Sequence, residues 1–195
     1  MKLYKGFLTI ALMFFLWSIP IFSQESNNAF AAKLLIEGGI EFGGDEILKV
    51  FFTNGEDQTM RAGQGGYLAL GGQFKIAKVK PLMLRAAIGL KYNTTAAENA
   101  NIRFTRVPIT LIPFWNINED IRLGIGISSH QNVKLKGDGF VPDVDFRSNI
   151  GTRVEFGYKW IALAYTAINY TDELNNSVSA NSVGMSVSFT FPNKK

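Results

Sequence analysis

From residue 33 onward the chain alternates between apolar and polar-or-small positions, and it does so in repeated bursts. The clearest burst is Leu82-Met83-Leu84-Arg85-Ala86-Ala87-Ile88-Gly89-Leu90-Lys91-Tyr92. Its even positions are Leu, Leu, Ala, Ile, Leu and Tyr; its odd positions carry Arg, Ala, Gly and Lys. A period of two is the signature of a β-strand, whose successive side chains point to opposite faces. Leu34, Ile36, Ile40 and Phe42 alternate with Leu35, Glu37, Gly39 and Glu41. Ile121, Leu123, Ile125 and Ile127 alternate with Arg122, Gly124, Gly126 and Ser128. Ile150, Val154, Phe156 and Tyr158 do so with Gly151, Arg153, Glu155 and Gly157, and Val183 to Phe191 with Ser182, Gly184, Ser186, Ser188 and Thr190.

The pattern predicts eight strands, near 33–52, 58–77, 81–93, 101–116, 120–130, 146–158, 160–171 and 180–191. Pro108 and Pro113 disturb the fourth, which places them at a bulge or strand end; there Arg106 and Thr110 are expected to point inward. Connections alternate between tight (76–80, 116–120, 158–160) and long, polar and Asn/Asp/Gly-rich (93–100, 131–145, 171–179). The first hairpin turns at Asn54-Gly55, a favourable turn pair, on strands long enough to protrude. One end is thus trimmed and the other elaborated, as in membrane barrels with short periplasmic turns and longer outer loops.

Composition narrows the class. There is no cysteine, which excludes a disulfide scaffold and any thiolate chemistry. With 16 Phe, 6 Tyr and 3 Trp and only 18% charged residues, the chain has ample apolar surface to bury. The one long apolar run is N-terminal: Lys2 and Lys5, then Gly6 to Phe22, then polar Ser23 to Asn28. That order is the one expected of a signal peptide, 1–23, with cleavage near Ser23 or alternatively after Ala31, leaving a single barrel domain over 24–195. Its removal takes away Lys2 and Lys5, so the formal net charge falls from +4 by two, to +2. So small an excess gives no reason to expect nucleic acid as a partner.

The facing of the sheet follows from three features. The polar face is rich in Gly, Ala and Ser, which suit a narrow lumen better than a wet convex surface. Aromatics gather at strand ends, as expected for two interfacial girdles: Phe74, Phe114, Trp115, Tyr158, Trp160, Phe189 and Phe191 at the short-turn end, and Phe51, Phe52, Tyr92, Phe104, Phe146 and Tyr170 at the other. The last strand closes on Phe189-Thr190-Phe191, although Pro192 to Lys195 trail past it. Together these features resemble the small eight-stranded outer-membrane β-barrel families of Gram-negative bacteria. The resemblance implies an all-β, eight-stranded antiparallel up-and-down transmembrane barrel in the bacterial outer membrane, monomeric, in contact with lipid and lipopolysaccharide. Ligand recognition would then fall to the outer loops, chiefly 131–145 and 50–60. It carries over no functional residue.

With the polar face inside, the lumen is expected to hold Glu37, Glu41, Arg85, Lys91, Arg106, Arg122, Arg153 and Glu155, with Arg147 nearer a mouth. Buried charges need partners, so a network of Arg–Glu pairs is expected across it, with a small anion-preferring pore as the sharper and less favoured reading. Catalytic candidates are few. His130 is the one histidine, and Ser128 shares its face. A Ser–His pair needs an orienting acid, for which Asp143, Asp145 or Glu155 are the choices. Outer-membrane lipid A deacylases carry His-x-Ser, and here the order is reversed. Asp138, Asp143 and Asp145 lack a complete calcium-loop pattern. Gly63-x-Gly65-Gly66 and Gly124-x-Gly126 are read as lying within strands, where they ease crowding and form no phosphate loop. The expectation is a non-enzymatic barrel with no cofactor and no metal. A lipid A-modifying hydrolase and a soluble secreted barrel around an apolar ligand are the alternatives.

Overall fold

A computed structural model of the chain describes residues 30–51, 55, 57–76, 79, 81–95 and 101–192. The signal segment, Phe52 and Asn54 lie outside these. The described residues form strands and turns, with no helix among them. Thirteen strands follow one another: β1 Phe30–Phe42, β2 Glu46–Phe51, β3 Asp57–Arg61, β4 Gly65–Ile76, β5 Leu82–Thr94, β6 Arg103–Asn116, β7 Ile121–Lys136, β8 Val144–Ser148, β9 Ile150–Tyr158, β10 Ile161–Ala167, β11 Asn169–Thr171, β12 Ser177–Ser179 and β13 Ser182–Phe191.

Eight of them are staves of a closed antiparallel barrel. Around the ring the order is β1, β4, β5, β6, β7, β9, β10 and β13, and β13 pairs back onto β1. Each stave neighbours the next in sequence, so the topology is up-and-down. Side chains alternate strictly; β9, nine residues long, exposes Ile150, Val154, Phe156 and Tyr158 and buries Gly151, Arg153, Glu155 and Gly157. The outward set is apolar all round the ring, with Leu34, Leu68, Ile88, Ile125, Ile150, Leu163 and Val183 exposed. Nine residues at ~3.3 Å each, tilted by ~40°, span roughly 20 Å, the scale of a bilayer's apolar band. The interior holds charge. This is a transmembrane β-barrel with its polarity inverted relative to a ligand-carrying soluble barrel, whose interior would be apolar.

At one end the sheet continues past the ring and its polarity reverts. In β7, Ile121 to Ile127 face outward at odd positions, yet Val133 and Leu135 are buried. The phase shift occurs at Gln131-Asn132: both are exposed, Asn132 has φ 49°, and three steps of β7 match two of β6 between Thr105 and Val107. An extra residue in one strand moves every later side chain to the other face. Above this bulge β7 pairs with β8, β8 with β11 and β11 with β12. These extensions enclose a second, apolar core of Met60, Ala62, Ile102, Phe104, Val133, Leu135, Ile168, Tyr170 and Ala180.

Several sequence expectations change here. The first hairpin does not run straight out of the barrel. β1 stops at Phe42 and Gly43-Gly44 turn the chain at φ +126° and +83°, values that L side chains rarely adopt. The hairpin β2–β3 thereby bends over the mouth and delivers Met60 to the cap core. Residues 131–145 are largely sheet, with Val133 and Leu135 buried in the cap and Phe140 exposed at its tip. Strands six, seven and eight are each broken, at Asn149, Ile168 and Ala180. Gly63 lies in the turn between β3 and β4, outside any strand.

The girdle assignment is corrected as well. Trp115, Tyr158, Trp160, Phe189 and Phe191 do face outward at the short-turn end. Phe114 does not: it is buried in the lumen, under Arg85 and Arg122. At the other end Phe104 and Tyr170 are fully buried in the cap core, with Phe146 against them edge to face. Alternation reads a face modulo two, and a bulge or an inward aromatic is invisible to it.

Candidate functional site

The interior network is centred on Glu41, which β1 presents inward one residue before its end. Its carboxylate takes an ion pair from Lys91 of β5, another from Arg153 of β9 at 2.6 Å, and a hydrogen bond from the Ser182 hydroxyl of β13 at 3.1 Å. Four staves are therefore joined through one acid. Lys91 also donates to the Gly63 carbonyl at 2.6 Å, and Arg153 to Thr166 Oγ1 at 3.0 Å. Tyr67, which the sequence reading left out of the network, links its two halves: its hydroxyl donates to Glu37 at 2.7 Å and accepts from Arg153 at 3.3 Å.

Toward the short-turn end the pairing thins. Glu155 lies 3.7 Å from Arg153 and 3.8 Å from Arg122, distances of ion pairing without hydrogen bonds. Arg122 donates to the Lys159 carbonyl at 2.6 Å. Arg85 reaches no carboxylate; it donates to Gln73 at 3.0 Å and Ser188 at 3.2 Å. Both guanidinium groups stand over the Phe114 ring, at 5.3 and 5.7 Å from its centre. Gly124 makes this possible, since a Cβ there would lie 2.6 Å from the ring.

Arg106 belongs to the mouth. It is buried and donates to the carbonyls of Ala62 and Gln64 at 2.8 and 2.7 Å, with its plane 4.2 Å over Phe104. It thus clamps the turn that folds the first hairpin down. Arg147 is exposed on β8. Thr110 lies inward with Ser128 and Arg153 around a small void.

Ser128 and His130 both face the lumen and both are buried. His130 Nδ1 pairs with the Tyr170 hydroxyl, and the Ser128 hydroxyl has no hydrogen-bond partner among the described residues. Of the acids considered, Asp143 pairs with Lys136 at 2.7 Å and Asp145 with Lys134 at 3.1 Å, all four on the cap's outer surface. Asp143 also accepts from the Gly137 amide at 2.8 Å, and these hydrogen bonds, that of Lys136 first, hold its carboxyl below the ordinary aspartate range. No carboxylate orients His130 among the described residues, so the geometry of a hydrolytic triad is absent there. The void beside Ser128 has a volume of about 20 Å³ and is lined by Tyr67, Lys91, Thr110, His130 and Arg153, among others. That is space for a water, which needs about 10–15 Å³. The described residues hold no cluster of three or more metal-ligating side chains.

No family model and no curated protein matches the chain. Among solved structures it is similar to Ail, the attachment invasion locus protein of Yersinia pestis. The crystal structure of Ail gives a TM-score of 0.42 at 11% identity, covering 83% of this chain and 99% of that one. Ail in complex with the heparin analogue sucrose octasulfate gives 0.42 at 11%, covering 81% and 97%. The backbone structure of Ail in a phospholipid bilayer nanodisc gives 0.35 at 10%, covering 82% and 100%.

Proposed function

We propose that this chain is a non-enzymatic integral barrel of a bacterial outer membrane, monomeric, with a sealed lumen and with its interactions carried on the outer cap. The observation that carries the reading is the complete ring of exposed apolar side chains around a charged interior. In water such a ring would be a very large exposed apolar patch; in lipid it is the required surface, and closure leaves no backbone edge unsatisfied. The N-terminal segment read as a signal peptide and cleaved near Ser23 supplies the route, and lipid and lipopolysaccharide are the partners of the belt.

Sealing is supported at two levels. Within the ring, Glu41, Lys91, Arg153, Tyr67 and Glu37 bridge the lumen, and the void beside them admits little more than a water. Above the ring, the apolar cap core closes the mouth. An eight-stranded barrel is just wide enough for side chains to fill. The cap's exposed tips, Phe51, Phe140 and Leu174, are then the surface offered to the outside.

The test is the gel mobility of the protein from outer-membrane fractions, with and without boiling in SDS. A folded, heat-modifiable form in that fraction is expected. A soluble protein with no shift would overturn the reading. Lipid A unchanged in Ser128→Ala and His130→Ala strains is expected of a non-enzyme, and altered lipid A would restore the hydrolase alternative. The absence of conductance steps in planar bilayers is expected of a sealed lumen.

A further inference from the structure

The charges inside the barrel do not balance, and the imbalance lies at one end. Arg85, Lys91, Arg106, Arg122 and Arg153 face Glu37, Glu41 and Glu155. At the cap end the cations are matched: Lys91 and Arg153 share Glu41, and Arg106 is satisfied by two carbonyls and an aromatic face. At the short-turn end Arg85 and Arg122 repel one another across Phe114. Their nearest acid, Glu155, makes no hydrogen bond to either, and Arg122 Nε and Nη2 are buried without a hydrogen-bond partner among the described residues. The Ser186 hydroxyl, on the same lateral row of the sheet as Arg122, is likewise buried and unpartnered. Nearer the opening, Lys33 of β1 and Lys75 of β4 lie on the inward register and form no ion pair among the described residues.

We infer that the short-turn half of the lumen is a binding site for a small monovalent anion of halide size, held by Arg85 and Arg122 beside Phe114. Burying two like charges without a counter-charge is costly, whereas one anion between them turns repulsion into two charge-assisted hydrogen bonds. The Arg122 nitrogens without partners supply the donors, and Ser186 a neutral one. The basic mouth at Lys33 and Lys75 draws anions to the opening by focusing the field. The close packing of the Phe114 ring against Gly124 and Ile112 excludes anything as large as phosphate. The network of Glu41, Lys91 and Arg153 closes the far side, so the site is a blind pocket rather than a conduit. It is independent of what the cap binds.

The full mature chain, purified in detergent, is melted at constant ionic strength while bromide replaces fluoride, with the loss of the heat-modifiable form as readout. A saturable rise in melting temperature with bromide is expected. The apparent affinity should fall at least about tenfold in Arg122→Gln and in Arg85→Gln, the loss of one charge-assisted hydrogen bond. Ser186→Ala, a milder change, should fold and bind more weakly. Crystals of the unaltered chain soaked in bromide should show an anomalous peak between the two guanidinium groups. Bromide-independent melting, an equal response in the arginine variants, or a soaked crystal with no peak there would each overturn the site.

Discussion

Arg153 and Glu41 are 112 residues apart in the chain and meet inside the barrel at 2.6 Å, in a contact that can form only when the ring has closed. Arg153 enters from β9 and Glu41 from β1, two staves that share no backbone hydrogen bond. Their ion pair therefore reports closure itself, independently of any single strand pairing.

Removing the shared acid leaves Lys91 and Arg153 buried together without a counter-charge. Glu41→Ala should cost about 3–5 kcal/mol, and Lys91→Met in the same chain should restore part of it. Urea unfolding from lipid vesicles, followed by tryptophan fluorescence, measures both. A single variant within about 1 kcal/mol of the parent would show that Glu41 does not organise the lumen.

The lipid-facing assignment predicts a depth-dependent penalty for charge. Leu163→Arg, in the middle of the exposed belt, should cost about 2–4 kcal/mol when the barrel is folded in bilayers. Lys134→Ala, on the cap exterior, should cost little. Equal tolerance at the two positions would argue that the belt faces water.

Gly124 is the space into which Phe114 fits, with ring atoms 2.6 Å from where a Cβ would stand. Gly124→Val should displace the ring and the two arginines resting on it, reducing the yield of the heat-modifiable form. Combining it with Phe114→Ala should recover that yield in part. Normal folding of the single variant would place Phe114 elsewhere.

The cap core should unfold apart from the ring. Phe104→Ala removes a fully buried ring and should cost about 3–5 kcal/mol locally. Hydrogen exchange should quicken in β8, β11 and β12 while β4 and β5 remain protected. Uniform loss of protection in both regions would mean that cap and barrel form one cooperative unit.

At the cap tip, Lys136 and Asp143 shift each other in opposite senses. The carboxyl is lowered, chiefly by the hydrogen bond from Lys136, and the ammonium is raised, chiefly by the same bond. The aspartate's contribution is present above its unfolded value and lost as pH falls through the lowered one; the lysine's is present below its unfolded value and lost as pH rises through the raised one. The tip should thus be held from mildly acidic to mildly alkaline pH and loosen outside both limits. Both groups are exposed, so added salt should weaken the effect. In Lys136→Ala, the Asp143 titration followed by NMR should move back up toward the ordinary aspartate range. An unchanged titration would leave the Gly137 amide as the sole cause.

Much of the ring was readable in the chain. The period of two in 82–92, 121–127, 150–158 and 183–191 set the staves, their facing and the residues that enter the lumen, because a strand in a closed barrel can only present alternate side chains to two different media. Tight turns at 116–120 and 158–160 set the order of neighbours. What alternation could not supply was anything that depends on phase or on three-dimensional meeting. The extra residue at Asn132 reverses the facing of β7 without altering its composition, so Val133 and Leu135 looked like part of a polar loop until the bulge was visible. Gly43-Gly44 read as a pause in a strand, and only tertiary packing turned that pause into a hairpin folded over the mouth. Phe114 and Tyr170 matched a girdle by position along the strand; which side of the sheet they occupy was decided by the space at Gly124 and by His130. The partners of Glu41 come from strands up to 141 residues away in sequence, and no local rule ranks Lys91, Arg153 and Ser182 above the other donors. Local periodicity determines which face a side chain takes, whereas the identity of the group it meets there is a property of the closed barrel.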